Sequence, residues 1–333
     1  MTKFYKILFF NSLCLGTLIA ISSYSWFGMW LGLEVNLLSI IPLMSSPKNL
    51  YPSESSIKYF ITQSLASSMF LASLMLMMNT QEFIFNKNHL ILILNSSLML
   101  KLGAAPLHAW FPEVVEGLSW MNNFIMLTWQ KISPMVILMY NLQINFFILI
   151  IMISSIISGL LGLNQISLRK IMAYSSINHI AWMLGSMLNF KLIWMIYFLI
   201  YSLITFNIII IFVEMNMFYI NQMFTTFLNF KSLKFLISLN FLSLGGLPPF
   251  LGFMPKWLTI NNLVEMNLMF LSMILIIFTL ITLYFYLRLT FSSFMIYTNE
   301  TMHKTKKLNI FLISLNFLSL GGLLVCTLIL NFY

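Results

Sequence analysis

Hydrophobic stretches fill this 333-residue chain almost from end to end, and only 8% of its residues are charged. A soluble domain carries roughly 25% charged residues. With so few charges a surface facing water cannot be covered, so lipid is the solvent that fits. The aromatic content (32 Phe, 13 Tyr, 8 Trp) and a mean hydropathy of +0.93 agree. No stretch remains for a separate soluble domain, so 1–333 reads as a single transmembrane domain.

The net charge of +9 is spread singly over short loops, leaving no basic stripe for a nucleic-acid backbone to follow. Cys14 and Cys326 lie in apolar segments with no CxxC or Cys/His cluster beside them, and read as buried thiols. The opening Met1-Thr2-Lys3-Phe4-Tyr5-Lys6 shows no Arg/Ser-rich amphipathic presequence and no small-residue cleavage site. Asp is absent, while Ile, Leu, Met, Phe, Asn and Lys abound, a bias that fits an A/T-rich organellar genome.

A membrane-crossing helix needs about 20 predominantly apolar residues. The pattern predicts an all-α polytopic protein with spans near 3–22, 25–44, 56–78, 89–106, 121–141, 145–164, 168–188, 191–213, 235–258, 268–291 and 310–332. The stretch 214–234 is the longest loop of its kind, with scope for helix within it. With these spans, one side holds Lys3, Lys6, Lys48, Lys58, Arg169, Lys170, Lys231, Lys234, Arg288, Lys304, Lys306 and Lys307. The other side holds only Lys87 and Lys191. The excess places the N-terminus and the 292–309 loop inside and the C-terminus outside, and an odd number of spans is what preserves it.

Three lysines are left over. Lys101, Lys131 and Lys256 fall within predicted spans, as does Glu34. A charge at a helix centre costs roughly 2.5–3.5 kcal/mol on insertion scales. Pairing between helices, or snorkelling to an interface, is one way to keep such residues. Three lysines cannot all pair with one glutamate, so some are neutral or hydrated, which favours proton relay. Two of the lysines stand near helix-breaking sequence, at Lys101-Leu102-Gly103-Ala104-Ala105-Pro106 and at Leu244-Gly245-Gly246-Leu247-Pro248-Pro249 before Lys256. Both contain Leu-Gly-x-x-Pro, and they fall five spans apart. An odd repeat enters the membrane from the opposite side, so the expectation is two inverted five-helix repeats with a broken helix in each. Their expected limits are about 1–143 and 145–291, with an extra C-terminal helix at about 310–332.

Among the histidines, His89 and His303 read as solvated, while His108 caps or lines the first break. His179 lies mid-span beside Ser175, Ser176 and Asn178, where a hydrogen-bonded core role and a relay role are equally open. Glu113 and Glu116 are expected in solvent on the outer side or at a cavity mouth, and Lys58 snorkels or partners Glu34. Phe235 to Leu247 recurs without change as Phe311 to Leu323. The copy lacks the Pro-Pro pair and the lysine, and the sequence gives it no physical reason.

Trp30-Leu31-Gly32-Leu33-Glu34-Val35-Asn36, Lys58-Tyr59-Phe60-Ile61-Thr62-Gln63 and Leu127-Thr128-Trp129-Gln130-Lys131 resemble segments of the NADH dehydrogenase subunit 2 family. Ser167-Leu168-Arg169-Lys170-Ile171-Met172-Ala173-Tyr174 and Ser243-Leu244-Gly245-Gly246-Leu247-Pro248-Pro249 do so too. These are antiporter-like subunits of mitochondrial respiratory complex I, and the insect-like animal form fits best. The resemblance implies a non-redox subunit contributing to proton translocation across the mitochondrial inner membrane, N-terminus in the matrix and C-terminus in the intermembrane space. It maps the family's half-channel glutamate to Glu34, its buried lysines to Lys101, Lys131 and Lys256, and its central-axis histidine to His179. It implies no cofactor on this chain, with NADH, FMN, iron–sulfur clusters and ubiquinone used elsewhere in the assembly. Implied partners are a neighbouring antiporter-like subunit, small core subunits, accessory subunits and phospholipids such as cardiolipin. The expected route runs from Lys101, biased by Glu34, through Lys131 and His179 to Lys256. A free-standing cation/proton antiporter and a structural spacer held by its charges are the rival readings.

Overall fold

The computed structural model describes residues 4–46, 49–78, 87–227 and 231–295, together with 314, 316, 317 and 319–323. Fourteen helices run through the described residues. They are α1 (Phe4–Ser22), α2 (Trp26–Met44), α3 (Leu50–Met78), α4 (Lys87–Leu102), α5 (Trp110–Gly117), α6 (Trp120–Leu127) and α7 (Trp129–Leu138). There follow α8 (Ile144–Gly162), α9 (Leu168–Met187), α10 (Lys191–Met215), α11 (Ile220–Phe227), α12 (Lys231–Gly245), α13 (Phe253–Glu265) and α14 (Met269–Met295). Helix stands at ten of the eleven expected spans. The eleventh, 310–332, lies mostly outside the described residues, as do Lys3, Lys48, His303, Lys304, Lys306, Lys307 and Cys326.

Among the described residues, six helices (α1, α2, α3, α8, α10 and α14) are long and apolar enough to cross a membrane. The rest fall short for local reasons. Breaks shorten α4 and divide the expected 235–258 span into α12 and α13. The expected 121–141 span is also two helices. Thr128 leaves helical angles (φ −119°, ψ −72°), and its hydroxyl donates to Phe124 O at 2.7 Å. Such back-bonding bends helices, and Pro134 in the next turn has no N–H to give. The segment after the first break, expected as loop, holds α5, and the long 214–234 loop holds α11.

Burial is inside-out relative to a water-soluble bundle. Along α14, Met273, Ile277, Leu280 and Tyr284 form an exposed stripe at helical spacing, while Ser272, Thr279 and Thr282 are buried. Apolar surface faces outward, toward lipid, and hydroxyls satisfy themselves inside on backbone carbonyls one turn back.

The chain divides into two compact units, Met1–Ile150 and Ile151–Tyr333. In the first, α1 and α2 approach closely through small residues. A Cβ on Gly16 would sit 2.9 Å from Asn36 N, and one on Gly32 would strike the Ala20 backbone. In the second, α9 is buried along nearly its whole length and packs against α10, α13 and α14.

Candidate functional site

Each unit contains one helix that ends in the same way. The α4 terminus closes with Gly103 N donating to Leu100 O (3.2 Å) and Ala104 N to Met99 O (3.1 Å). At the α12 terminus, Gly246 N donates to Ser243 O (3.0 Å) and Leu247 N to Leu242 O (3.3 Å). Both are the paired closure in which glycine takes left-handed angles, φ +72° at Gly103 and +78° at Gly246. A cis proline follows three residues later, Pro106 and Pro249. The expected Leu-Gly-x-x-Pro register therefore holds at the first break and slips by one at the second, because Gly245 stays inside α12.

In the first unit, side chains also reach the last carbonyls of α4. Trp110 Nε1 donates to Leu100 O (3.1 Å) and Gln63 Nε2 to Lys101 O (3.4 Å). Lys101 is buried, and its Nζ has no hydrogen-bond partner. Glu34 is half-buried, its inward Oε2 likewise without a hydrogen bond, and it acts electrostatically on both Lys101 and Tyr59. A small cavity is lined by Leu33, Asn36, Leu37, Tyr59, Gln63, Lys101, Gln130, Ser133 and Pro134, with room for about one water molecule. Gln130 Nε2 donates to Asn36 Oδ1 at 2.8 Å and joins its opposite walls. Lys131, on the bent α7, is 2% exposed, with Nζ 5.8 Å from the centre of the Phe111 ring.

In the second unit the lysine itself caps the break. Lys256 Nζ donates to Gly245 O (2.8 Å) and Leu244 O (3.2 Å), the last carbonyls of α12, and lies 5.9 Å from the Trp182 ring centre. A cation at a helix C-terminus also meets the negative end of the helix dipole. Gly246 makes room for it, since a Cβ there would lie 2.7 Å from Lys256 Cδ. His179 Nδ1 and Tyr197 OH share a hydrogen bond of 2.8 Å. A second small cavity is lined by His179, Tyr197, Ile200, Tyr201, Ile204, Ser243, Leu244, Gly252 and Pro255. It joins the histidine to the helix end that holds Lys256.

The sequence reading thus names Glu34, Lys101, Lys131, His179 and Lys256, and all five are wholly or partly buried. Glu34 and Lys101 belong to the same unit, and no ion pair joins them among the described residues. His179 and the carbonyl partner of Lys256 share a cavity. His108 Nδ1 lies 3.3 Å from Pro106 O, in its own loop after the first break. One alternative is corrected. Lys58 partners Glu54 and Glu113, at 3.0 Å each, and not Glu34. That contact puts Glu113 of α5 beside Lys58 of α3. Sequence alone does not mark the uncharged lining (Asn36, Tyr59, Gln63, Gln130, Tyr197, Tyr201). Tyr59 and Gln63 four residues apart on one helix face was the available signal. Among the described residues no three His, Cys, Asp or Glu side chains gather as metal ligands would.

A family model described as NADH:quinone oxidoreductase/Mrp antiporter, TM, matches residues 23–282. The chain is 51% identical over 338 residues to NADH-ubiquinone oxidoreductase chain 2 of Anopheles gambiae. It is 52% identical over 337 residues to that of Aedes aegypti, and both alignments cover 99% of each chain. Its fold matches a chain of respiratory complex I from Thermus thermophilus with bound aureothin, at a TM-score of 0.87 and 20% identity. That match covers 99% of this chain and 80% of the other. With a family model over most of its length and end-to-end relatives at half identity, the chain belongs to the NADH-ubiquinone oxidoreductase chain 2 family of antiporter-like membrane proteins.

Proposed function

We propose that the chain contributes proton translocation to mitochondrial NADH:ubiquinone oxidoreductase as a membrane-arm subunit that carries no redox group itself. Glu34, Lys101 and Lys131 form one proton-carrying set, and His179 and Lys256 a second. The observation that carries this is the pairing, in each unit, of a buried lysine with a helix break and a small cavity. Lys101 is biased by Glu34 without being locked to it. Lys256 rests on carbonyls and not on a carboxylate, so it can release its proton without stranding a partner anion. Asn36, Gln130 and Tyr59 in one cavity, and Tyr197 and Tyr201 in the other, supply hydrogen bonds that can reorient around a water. A spacer held together by charge would instead close Glu34 onto a lysine.

The two breaks fall five expected spans apart, which supports two inverted five-helix repeats, about 1–143 and 145–291, followed by a C-terminal helix at about 310–332. The basic loops support a matrix N-terminus and an intermembrane-space C-terminus. The partners are a neighbouring antiporter-like subunit, small core and accessory subunits and phospholipids such as cardiolipin. NADH, FMN, iron–sulfur clusters and ubiquinone are handled elsewhere in the assembly.

The test is proton pumping by the assembled complex carrying Glu34→Ala or Lys131→Ala. Pumping is expected to fall by about an order of magnitude or more, as removal of a proton-transfer group does, with assembly retained. Normal pumping in both variants sinks the relay. The antiporter half of the family description favours a second reading, a free-standing cation/proton exchanger. Purified alone in liposomes, the chain would then exchange Na⁺ or K⁺ for H⁺, where a complex I subunit is inert.

A further inference from the structure

The thirteen-residue duplication has a structural counterpart within the second unit. Asn240, Ser243 and Gly246 line one face of α12 and its end, and Asn316, Ser319 and Gly322 hold the same places in the C-terminal copy. The two faces meet. Asn240 Nδ2 donates to its own equivalent, Asn316 Oδ1. Ser319 Oγ lies 3.0 Å from Asn240 Oδ1 and 2.9 Å from Asn316 O, with one proton to share between them. All three side chains are buried. Ser319 also accepts, through its backbone carbonyl, a hydrogen bond of 3.4 Å from Leu251 N inside the break. Gly322 lies against the Leu251 side chain with no space for a Cβ.

Broken backbone at membrane depth needs partners from protein or trapped water. Here the copy supplies one to Leu251 while gripping α12 through Asn240. These two grips flank the carbonyls of Leu244 and Gly245 on which Lys256 Nζ rests. We propose that Asn316, Ser319 and Gly322 are positioning residues for Lys256, and that the duplicated segment is a self-complementary clamp holding the α12–α13 break in register. The inference rests on the reading of Lys256 as a proton carrier.

The test compares Lys256→Ala, Asn316→Ala, Ser319→Ala and Ser319→Thr in the assembled complex. Three quantities are read: complex assembled, protons pumped per unit time, and the pH dependence of pumping. Asn316→Ala and Ser319→Ala are expected to assemble, to slow pumping about fivefold, the factor carried by one lost hydrogen bond, and to displace the pH profile. Ser319→Thr keeps the hydroxyl and is expected to restore both. Loss of pumping in strict proportion to assembly, with an unmoved pH profile, overturns the clamp. Normal pumping in the Asn316 and Ser319 variants beside a failing Lys256→Ala overturns the clamp alone. Normal pumping in Lys256→Ala overturns the proton-carrier reading together with it.

Discussion

Charge in an apolar stretch is conspicuous, which is why Lys101, Lys131 and Lys256 could be picked from the sequence, and with them Glu34. Their uncharged companions could not. Asn, Ser and Tyr are plentiful throughout this chain, and nothing local separates Tyr197 from its neighbours on α10. Its role becomes visible only when its hydroxyl is found 2.8 Å from His179 Nδ1. Tyr197→Phe removes that oxygen and leaves the ring and its packing. Losing one buried hydrogen bond amounts to about 1 kcal/mol, so the variant is expected to assemble normally and pump about fivefold more slowly. Unchanged pumping would show that the hydroxyl serves only to satisfy a buried imidazole.

At the scale of elements, the two proline-containing breaks were legible because glycine and proline together cannot continue a helix. Their register was less so. Gly245 and Gly246 are chemically identical, and only the closing hydrogen bonds choose which one turns left-handed. The bend at Thr128 was invisible, since it depends on a hydroxyl folding back on Phe124 O and on a proline six residues away. So was the way the α4 end is finished, with a tryptophan from α5 reaching back ten residues to Leu100 O. Trp110→Phe tests that cap. The ring still reaches Tyr59 and Phe111, now 5.8 and 5.5 Å between centroids, but the donor is lost. Leu100 O keeps Gly103 N as a donor, so the change removes one of its two hydrogen bonds, about 1 kcal/mol. The expected result is slightly earlier thermal unfolding of the complex, with NADH oxidation unchanged below the transition. An unaltered melting profile would mean that Gly103 N alone satisfies the carbonyl.

Across the whole molecule, the proposed orientation rests on the charge asymmetry of the loops, and contacts within each unit bear on it. Lys58 at the start of α3 meets Glu113 on α5. Arg288 near the end of α14 donates to Leu163 O (2.7 Å) and Gln165 O (3.1 Å), in the turn that precedes Arg169 and Lys170. In the second case both segments are ones that the count of basic residues places on the same side. The most exacting span to test is α9, which has the length to cross but carries Ser175, Ser176, Asn178 and His179 at its centre. It is held in lipid by burial among its neighbours and not by its own hydropathy. Asn164 and Asn189 are exposed just beyond its two ends. If α9 crosses with its basic end in the matrix, a membrane-impermeant maleimide applied to sealed mitoplasts should label Asn189→Cys above the level of the unaltered protein and leave Asn164→Cys untouched. Inside-out vesicles should give the reverse. The opposite pattern would invert the orientation drawn from the basic loops. Labelling of both positions from one face would mean that α9 turns back within the membrane, and the odd number of spans that preserves the charge asymmetry would be lost with it.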